Sequence, residues 1–153
     1  MFYKGKGFIE VEMGETFGAT LTVTEGHIVT ACGMFGDFNP VHSNHEFAAR
    51  TLFGRPVLHG PFTSALVTAP VGMFFEGTAI AYLEHNCRFV KPVYAGDTLT
   101  TTWTITAKVE KPRHDGGVIS MAATCQNQNN EEVANADGAI LVMNKLMPEM
   151  KSA

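Results

Sequence analysis

The stretch HGPFTSALVTAPVGMFFEG, residues 59–77, decides the fold that we predict for this chain. Gly60 stands at a plausible N-cap, and Pro61 suits the first helical position, where its missing N–H costs nothing. Because apolar residues occur all around the helix, we expect it to be buried on most of its faces. Pro70 should kink this helix or end it early, and Gly77 should close the segment.

The second half of the chain has the pattern of an antiparallel sheet. In the run TLTTTWTITAKVE, residues 98–110, β-branched and aromatic residues alternate with period two, which is typical of a half-buried strand. One face of this strand carries Leu99, Trp103, Ile105, Ala107 and Val109. Other runs predict strands near residues 17–23, 79–90, 117–126 and 133–143, with a hairpin turn at QNQNNEE before the last.

A helical insertion is predicted between the first strand and the long helix. Ser43 and Glu46 have the spacing of a capping box, which predicts a short helix from Glu46 to Leu52. The order of strand, helical insertion, long helix and four strands indicates an α+β protein whose antiparallel sheet wraps around one central helix. With 153 residues, of which 45% are hydrophobic, the chain suits one domain over residues 1–153.

Charge and composition exclude several classes of function. The formal net charge is −4 and no run of Lys or Arg occurs, so we expect neither nucleic acid nor an anionic membrane as a partner. No apolar stretch reaches the length of a membrane span. The three cysteines, Cys32, Cys87 and Cys125, are widely spaced and indicate reduced thiols. A cytoplasmic protein is therefore expected.

The loop GDFNPVH, residues 36–42, carries the candidate chemistry. Pro40 fixes its own backbone and pushes Asn39 out of the helical region, and the Asn39 side chain can bond to nearby backbone. The constrained loop thereby presents Asp37 and His42 together. Because His42 precedes a helix N-terminus, its neutral imidazole should be favoured, as a general base requires. The same pair also suits a purely structural role, as an Asx-turn and a backbone-bonded histidine.

A second element follows the loop in the run FGRPVLHGPF, residues 53–62. Gly60 offers a free N–H at the start of the long helix, and a glycine lets a ligand approach closely. An acid, a histidine and this N–H form a set suited to chemistry beside a thioester carbonyl.

Two stretches carry a resemblance to a known family: GDFNPVHSNHEFAARTLFGRPVLHG, residues 36–60, and CRFVKPVYAGDTL, residues 87–99. Together they resemble the MaoC-like (R)-specific enoyl-CoA hydratases and dehydratases, over roughly residues 14–109. The resemblance implies the hot-dog fold. It also implies that Asp37 and His42 activate the water, that Asn39 braces them, and that the N–H of Gly60 binds the thioester oxygen.

The resemblance further implies that a hydroxyl on the long helix helps to position the carbonyl, and it leaves Ser64 and Thr68 as alternatives. In one departure, Pro61 stands where the family usually has Met or another apolar residue. Proline has no N–H, so a second oxyanion donor from that position is lost. The departure bears on the shape of the pocket more than on catalysis.

The activity implied is syn addition of water to a 2-enoyl thioester of coenzyme A or acyl carrier protein, and its reversal, without a cofactor. Active sites of the family are typically built across a dimer, so a homodimer is expected. A hot-dog thioesterase is one alternative, but its acid usually lies on or beside the central helix, and residues 63–75 contain no Asp or Glu. A non-catalytic acyl-thioester-binding module is the other, although Asp37, His42 and Gly60 are all present.

The sequence contains five candidate ligands for a metal site: His42, His45, His59, His85 and Cys87. The spacing of His42 and His45 is short of a helical i, i+4 pair, and no closed tetrahedral set of ligands is apparent. We therefore expect no metal. His85 and Cys87 share the parity of Leu83 and should face the core or a partner.

Overall fold

Helix α4 (Gly60–Phe74) packs against a five-stranded antiparallel sheet in the computed structural model, which describes residues 5–145. The strands are β1 (Thr16–Thr22), β2 (Ala79–Phe89), β3 (Thr98–Lys111), β4 (Gly116–Gln126) and β5 (Glu132–Met143), in the order β1-β3-β4-β5-β2. Strands β1 and β2 are therefore the two edges of the sheet. This is the hot-dog arrangement that the family resemblance implied.

Three helices lie between β1 and α4: α1 (Glu25–Phe35), α2 (Pro40–Ser43) and α3 (His45–Ala48). Single 3₁₀ turns occur at Phe8–Glu10 and Pro112–His114. Within residues 5–145, none of the helices has the length and apolar content that crossing a membrane requires.

The core lies between α4 and the sheet. Val67, Val71 and Phe75 of the α4 segment are fully buried, and so is Trp103 of β3. The indole N–H of Trp103 donates a hydrogen bond to the main-chain carbonyl of Val67, at 2.8 Å. This single bond joins the middle of the helix to the middle of the sheet, and it confirms the inward face predicted for β3.

The start of α4 differs from the prediction by one residue. His59 occupies the N-cap, so Gly60 is the first helical residue and Pro61 the second. Both of these first-turn positions tolerate a proline, because neither N–H has a partner within the helix.

The end of α4 also differs. Of the two outcomes expected for Pro70, a kink or an early end, the early end was wrong, since α4 continues to Phe74. Val67 and Val71, on either side of Pro70, are fully buried, and this packing offsets the hydrogen bond that a proline removes. Gly77 lies beyond the helix, in a turn where its φ is 80°.

The capping box predicted for Ser43 and Glu46 was wrong. Asn44 caps α3 instead, and its side-chain oxygen accepts the Phe47 N–H at 2.9 Å. The Ser43 hydroxyl donates to the carbonyl of Phe38. The helix ends at Ala48, so it is shorter than the sequence pattern indicated.

Irregular pairing modifies the predicted faces of two strands. The register of β3 against β4 shifts between Ile105 and Ala107, and Val109 beyond this shift is 51% exposed rather than buried. In β2, shifts on either side of Ala81 separate the face of His85 from that of Leu83, which is 53% exposed. Leu83 therefore departs from the predicted inward face, whereas His85 faces the core as predicted, since its ring contacts Ser64 and Thr68 of α4.

All three cysteines are free thiols, as expected. Burial raises the pKa of the Cys87 and Cys125 thiols, which keeps them protonated and weakly reactive at neutral pH.

Replacing Trp103 with Phe should destabilise the fold by about 2 kcal/mol, because the variant loses the bond to the Val67 carbonyl and leaves unfilled volume. Urea unfolding followed by far-UV circular dichroism measures the change. Val109→Ala, on the exposed end of the same strand, is the matched control and should change the unfolding free energy by less than about 0.5 kcal/mol. A Trp103 variant as stable as this control would contradict the role given to the bond.

Candidate active site

The loop that follows α1 is held by local hydrogen bonds. Gly36 ends α1 in a left-handed conformation, with φ at 68°, and this turns the chain toward Asp37. The Asp37 carboxylate accepts the N–H of Asn39 at 3.1 Å. The Asn39 side chain in turn caps α2 by accepting the N–H of Val41 at 3.3 Å. Asn39 therefore ties its side chain to nearby backbone, as the sequence indicated.

One ring nitrogen of His42 is fixed by the main chain. Its Nδ1 lies 2.6 Å from the carbonyl oxygen of Val57. Because a carbonyl only accepts hydrogen bonds, Nδ1 carries the hydrogen, and in the neutral ring Nε2 carries a lone pair. The imidazole can then accept a proton at Nε2.

The free nitrogen of His42 faces the carboxylate of Asp37. Nε2 of His42 and Oδ2 of Asp37 are 3.9 Å apart, and the two side chains are 13% and 52% exposed. This separation is too long for a direct hydrogen bond, but one water molecule can bond to both atoms across it. The structure thus brings together the two residues that the sequence singled out.

His59 holds both members of this pair. Its side chain is buried, and its ring stacks on the ring of His42 with centroids 3.7 Å apart. Its Nε2 donates to the main-chain carbonyl of Asp37 at 3.0 Å. Sequence reasoning considered His59 only as a metal ligand and missed this contact, although its place beside Gly60 at the start of the helix was a usable signal.

Possible ligand atoms of Asp37, His42 and His59 lie within 4.8 Å of one another. Each of the two histidines already bonds to a backbone carbonyl through one ring nitrogen. Of the five candidate metal ligands named from the sequence, only His42 and His59 belong to this group of three. His45, His85 and Cys87 do not.

Gly60 supplies a hydrogen-bond donor at the start of α4. The N–H groups of Phe62 and Thr63 both donate to the carbonyl of His59, at 3.1 and 3.0 Å, and Pro61 has no N–H. The N–H of Gly60 has no acceptor among residues 5–145. It lies at the positive end of a 15-residue helix, where negative charge is stabilised.

His42 and Gly60 line one cavity of about 440 Å³, which we call the His42–Gly60 cavity. Phe89 of β2 forms part of its wall, and a Cβ added to Gly60 would come within 3.1 Å of the Phe89 ring. Only glycine leaves this approach open. The geometry therefore places an imidazole and a main-chain donor around one space.

A second cavity, of about 450 Å³, lies farther along α4, between that helix and β2. Its wall consists mainly of small and apolar residues, including Ala65, Ala69, Gly72, Ala79 and Ala81. We call it the α4–β2 cavity. The absence of large side chains from these five positions is what leaves the space open.

Ser64 and Thr68 are placed away from Asp37 and His42. Neither lines the His42–Gly60 cavity, and both hydroxyls contact Nε2 of His85, at 2.7 and 3.2 Å. Thr68 also lines the α4–β2 cavity. Sequence reasoning did not assign His85 to a site.

Comparisons with known proteins agree with this geometry. Residues 9–129 match the family model described as MaoC like domain. The chain is 28% identical to an (R)-specific enoyl-CoA hydratase of Rhodospirillum rubrum, over 77% of this chain and 79% of the relative. It is 28% identical to a 3-hydroxybutyryl-CoA dehydratase of Methylorubrum extorquens, over 90% and 85%. Among solved structures, R-hydratase PhaJ1 from Pseudomonas aeruginosa superposes with a TM-score of 0.82 at 27% identity, covering 92% of this chain and 88% of that one.

The contact with the Val57 carbonyl predicts the tautomer of His42. In ¹⁵N-labelled protein at alkaline pH, NMR should show the hydrogen on Nδ1 of His42 and the lone pair on Nε2. His45, whose side chain is 69% exposed, provides an internal comparison in the same spectrum. A hydrogen on Nε2 of His42 would contradict the orientation described for the ring.

Proposed function

The chain belongs to the MaoC-like dehydratase family, and from this membership and the geometry of the site we propose that it is an (R)-specific hydratase and dehydratase. It interconverts 2-enoyl and (R)-3-hydroxyacyl thioesters by syn addition or removal of water. One observation carries the proposal: His42, with Asp37 beside it, shares a cavity with the free N–H of Gly60. The names of the two curated relatives support coenzyme A as the carrier, and a thioester of acyl carrier protein presents the same reacting group.

The N–H of Gly60 binds the thioester oxygen. When water adds to C3 of a conjugated thioester, negative charge develops on this oxygen. One preorganised donor stabilises such a transition state by about 3 kcal/mol, and the α4 dipole acts in the same direction. Pro61 adds no competing donor, so the oxygen is directed to Gly60.

His42 and Asp37 handle the water and its protons. The water bonds to both Nε2 of His42 and Oδ2 of Asp37. Nε2 takes one proton as the oxygen forms its bond to C3, and the resulting imidazolium returns that proton to C2. The carboxylate of Asp37 accepts a hydrogen bond from the other hydrogen of the water, which stays on the oxygen as the new hydroxyl group, and it stabilises the imidazolium. Asn39 holds the loop in shape. Both new bonds form on one face of the double bond, and dehydration follows the same path in reverse.

The acyl chain extends along α4 toward the α4–β2 cavity. This cavity follows the His42–Gly60 cavity along the same helix and strand, and its walls are largely apolar. A cavity of about 450 Å³ with this lining suits an aliphatic chain. Of the two candidate hydroxyls, Ser64 is the nearer to Gly60, one helical turn away.

The proposed chemistry uses only acid–base groups and a main-chain donor, so we propose that no metal or other cofactor takes part. It also separates this chain from a thioesterase, in which water attacks the carbonyl carbon. Helix α4 contains no Asp or Glu to direct such an attack.

We propose a homodimer that forms along the edge strand β2. This strand exposes three large apolar side chains by 40–53%, those of Ile80, Leu83 and Phe89. Large apolar side chains on an open sheet edge favour pairing with another chain. Light scattering coupled to size-exclusion chromatography measures the mass directly.

Asp37→Asn and His42→Ala should each reduce hydration of 2-enoyl-CoA by at least about 100-fold, because each variant disrupts the proton transfers. The double variant should be little worse than either single variant, since the two residues act as a unit. The assay follows the loss of the conjugated enoyl absorbance, with thiol release recorded in parallel and the chirality of the product determined.

Near-normal turnover in both single variants would show that the pair is structural. A wild-type protein that releases thiol faster than it hydrates would be a thioesterase, and binding without either reaction would indicate an acyl-binding module. A mainly (S) product would mean that the opposite face of the substrate meets His42.

Gly60→Ala should reduce turnover by about tenfold or more, because the new methyl group presses on Phe89 and displaces the thioester oxygen from the N–H. Stability should not fall, since Gly60 is a first-turn residue and not the N-cap. Gly33→Ala is the matched control, because Gly33 is helical with open space around it. Equal turnover in the two variants would exclude Gly60 from oxygen binding.

A further inference from the structure

A cluster of four polar side chains lies between α4 and β2, outside the catalytic pair. It consists of Ser64, Thr68, Tyr82 and His85 and is called here the His85 cluster. Ser64 Oγ and Thr68 Oγ1 lie 2.7 and 3.2 Å from Nε2 of His85, and the Tyr82 hydroxyl lies 3.1 Å from Nδ1. Both ring nitrogens of His85 are therefore occupied by hydroxyl groups.

The His85 cluster contains one more hydrogen-bond donor than the contacts inside it use. Thr68 donates its own hydrogen to the carbonyl of Ser64, at 2.9 Å. Burial lowers the pKa of His85, so at neutral pH the ring carries one hydrogen. Ser64, Tyr82 and His85 then hold three hydrogens, whereas each of the two ring nitrogens shares only one hydrogen with a hydroxyl oxygen.

The tautomer of His85 decides which hydroxyl keeps the spare hydrogen. If the ring hydrogen is on Nε2, it is donated to Ser64, and the hydroxyl hydrogen of Ser64 is the spare one. If the ring hydrogen is on Nδ1, it is donated to Tyr82, and the hydroxyl hydrogen of Tyr82 is the spare one. The Cys87 thiol beside Ser64 is only a weak acceptor. In either state the cluster presents an O–H that suits an oxygen acceptor better than a hydrocarbon.

The His85 cluster lies between the two cavities. Gly60 and Phe89 are in the His42–Gly60 cavity, whereas Thr68 and Tyr82 line the α4–β2 cavity. Helix geometry places Ser64 about 6 Å and Thr68 about 12 Å along α4 from Gly60. An acyl chain that extends from Gly60 along α4 into the α4–β2 cavity comes close to these hydroxyls, because Thr68 and Tyr82 line that cavity.

We propose that the His85 cluster is a subsite for a hydroxyl or keto oxygen on the acyl chain, so that the preferred substrates are oxygenated 2-enoyl thioesters. This inference rests on the proposed function. An extended chain advances about 3.3–3.6 Å per three bonds, so the oxygen lies about five to ten bonds from the thioester carbon. An all-carbon chain that covers the cluster removes the spare O–H from water and offers it no acceptor, which is unfavourable.

The test compares pairs of 2-enoyl-CoA substrates of equal length, in which one member carries a keto group on the seventh or the eighth carbon. The measured quantity is the ratio of kcat/KM between the two members. In the wild type this ratio should favour the oxygenated member by about fivefold, as expected for one neutral hydrogen bond. A wild-type ratio near one overturns the proposal.

The double variant Ser64→Ala with Tyr82→Phe removes both hydroxyls that can hold the spare hydrogen, and its ratio should fall to about one. The matched control is Thr22→Val, which removes a hydroxyl bonded to Thr98 at 2.9 Å on the β1 edge, and it should keep the wild-type ratio. If the cluster only fastens β2 to α4, the double variant will slow both substrates equally. An unchanged ratio therefore overturns the proposal.

A binding experiment separates this inference from the proposed reaction. Calorimetry with the saturated analogues of each pair, which cannot be hydrated, reports their affinities directly. If the wild type hydrates no enoyl thioester but binds the oxygenated analogue more tightly, the proposed function fails and the subsite stands. If hydration occurs and the two analogues bind equally, the subsite falls and the proposed function stands.

Discussion

The packing of α4 against the sheet is the constraint on which the other features depend. Val67, Val71 and Phe75 are fully buried, and each such side chain contributes about 1.5–3 kcal/mol through burial. Apolar packing alone permits some sliding along the helix axis, but the bond from Trp103 to the Val67 carbonyl is directional. Because the middle of the helix is fixed, its first turn is fixed too, and with it the N–H of Gly60.

His59 transmits this constraint to the loop that carries Asp37 and His42. As the N-cap of α4 it is part of the helix start, and its ring touches His42 while its Nε2 holds the carbonyl of Asp37. The loop and the helix are far apart in sequence, yet one buried side chain sets their relative position. The distance from Asp37 to His42, and the distance of both from Gly60, therefore follow from a single contact set.

The sequence was informative where one local pattern dominated. Period-two alternation predicted β3, all-round apolarity predicted a buried α4, and the resemblance singled out Asp37, His42 and Gly60. The sequence pattern failed where two neighbouring residues could each cap the same helix. Ser43 and Asn44 both suit the N-cap of α3, and Asn44 takes it because the Ser43 hydroxyl bonds to the carbonyl of Phe38.

Other features depend on partners that are distant in the sequence. The exposure of Val109 results from a register shift against β4, and the tautomer of His42 results from the Val57 carbonyl, 15 residues away. Neither side-chain periodicity nor spacing contains that information, because the deciding group is main chain or belongs to another strand.

The partners that define the site are mostly main-chain atoms. The carbonyl of Val57 orients His42, the carbonyl of Asp37 receives His59, the carbonyl of His59 occupies two N–H groups of the first turn, and the remaining N–H is that of Gly60. Substitutions at position 57 alter a side chain and leave this carbonyl in place. The orientation of the His42 ring is therefore robust to substitutions around it, and the side chains of the pocket wall can change in evolution without moving the hydrogen on Nδ1 of His42.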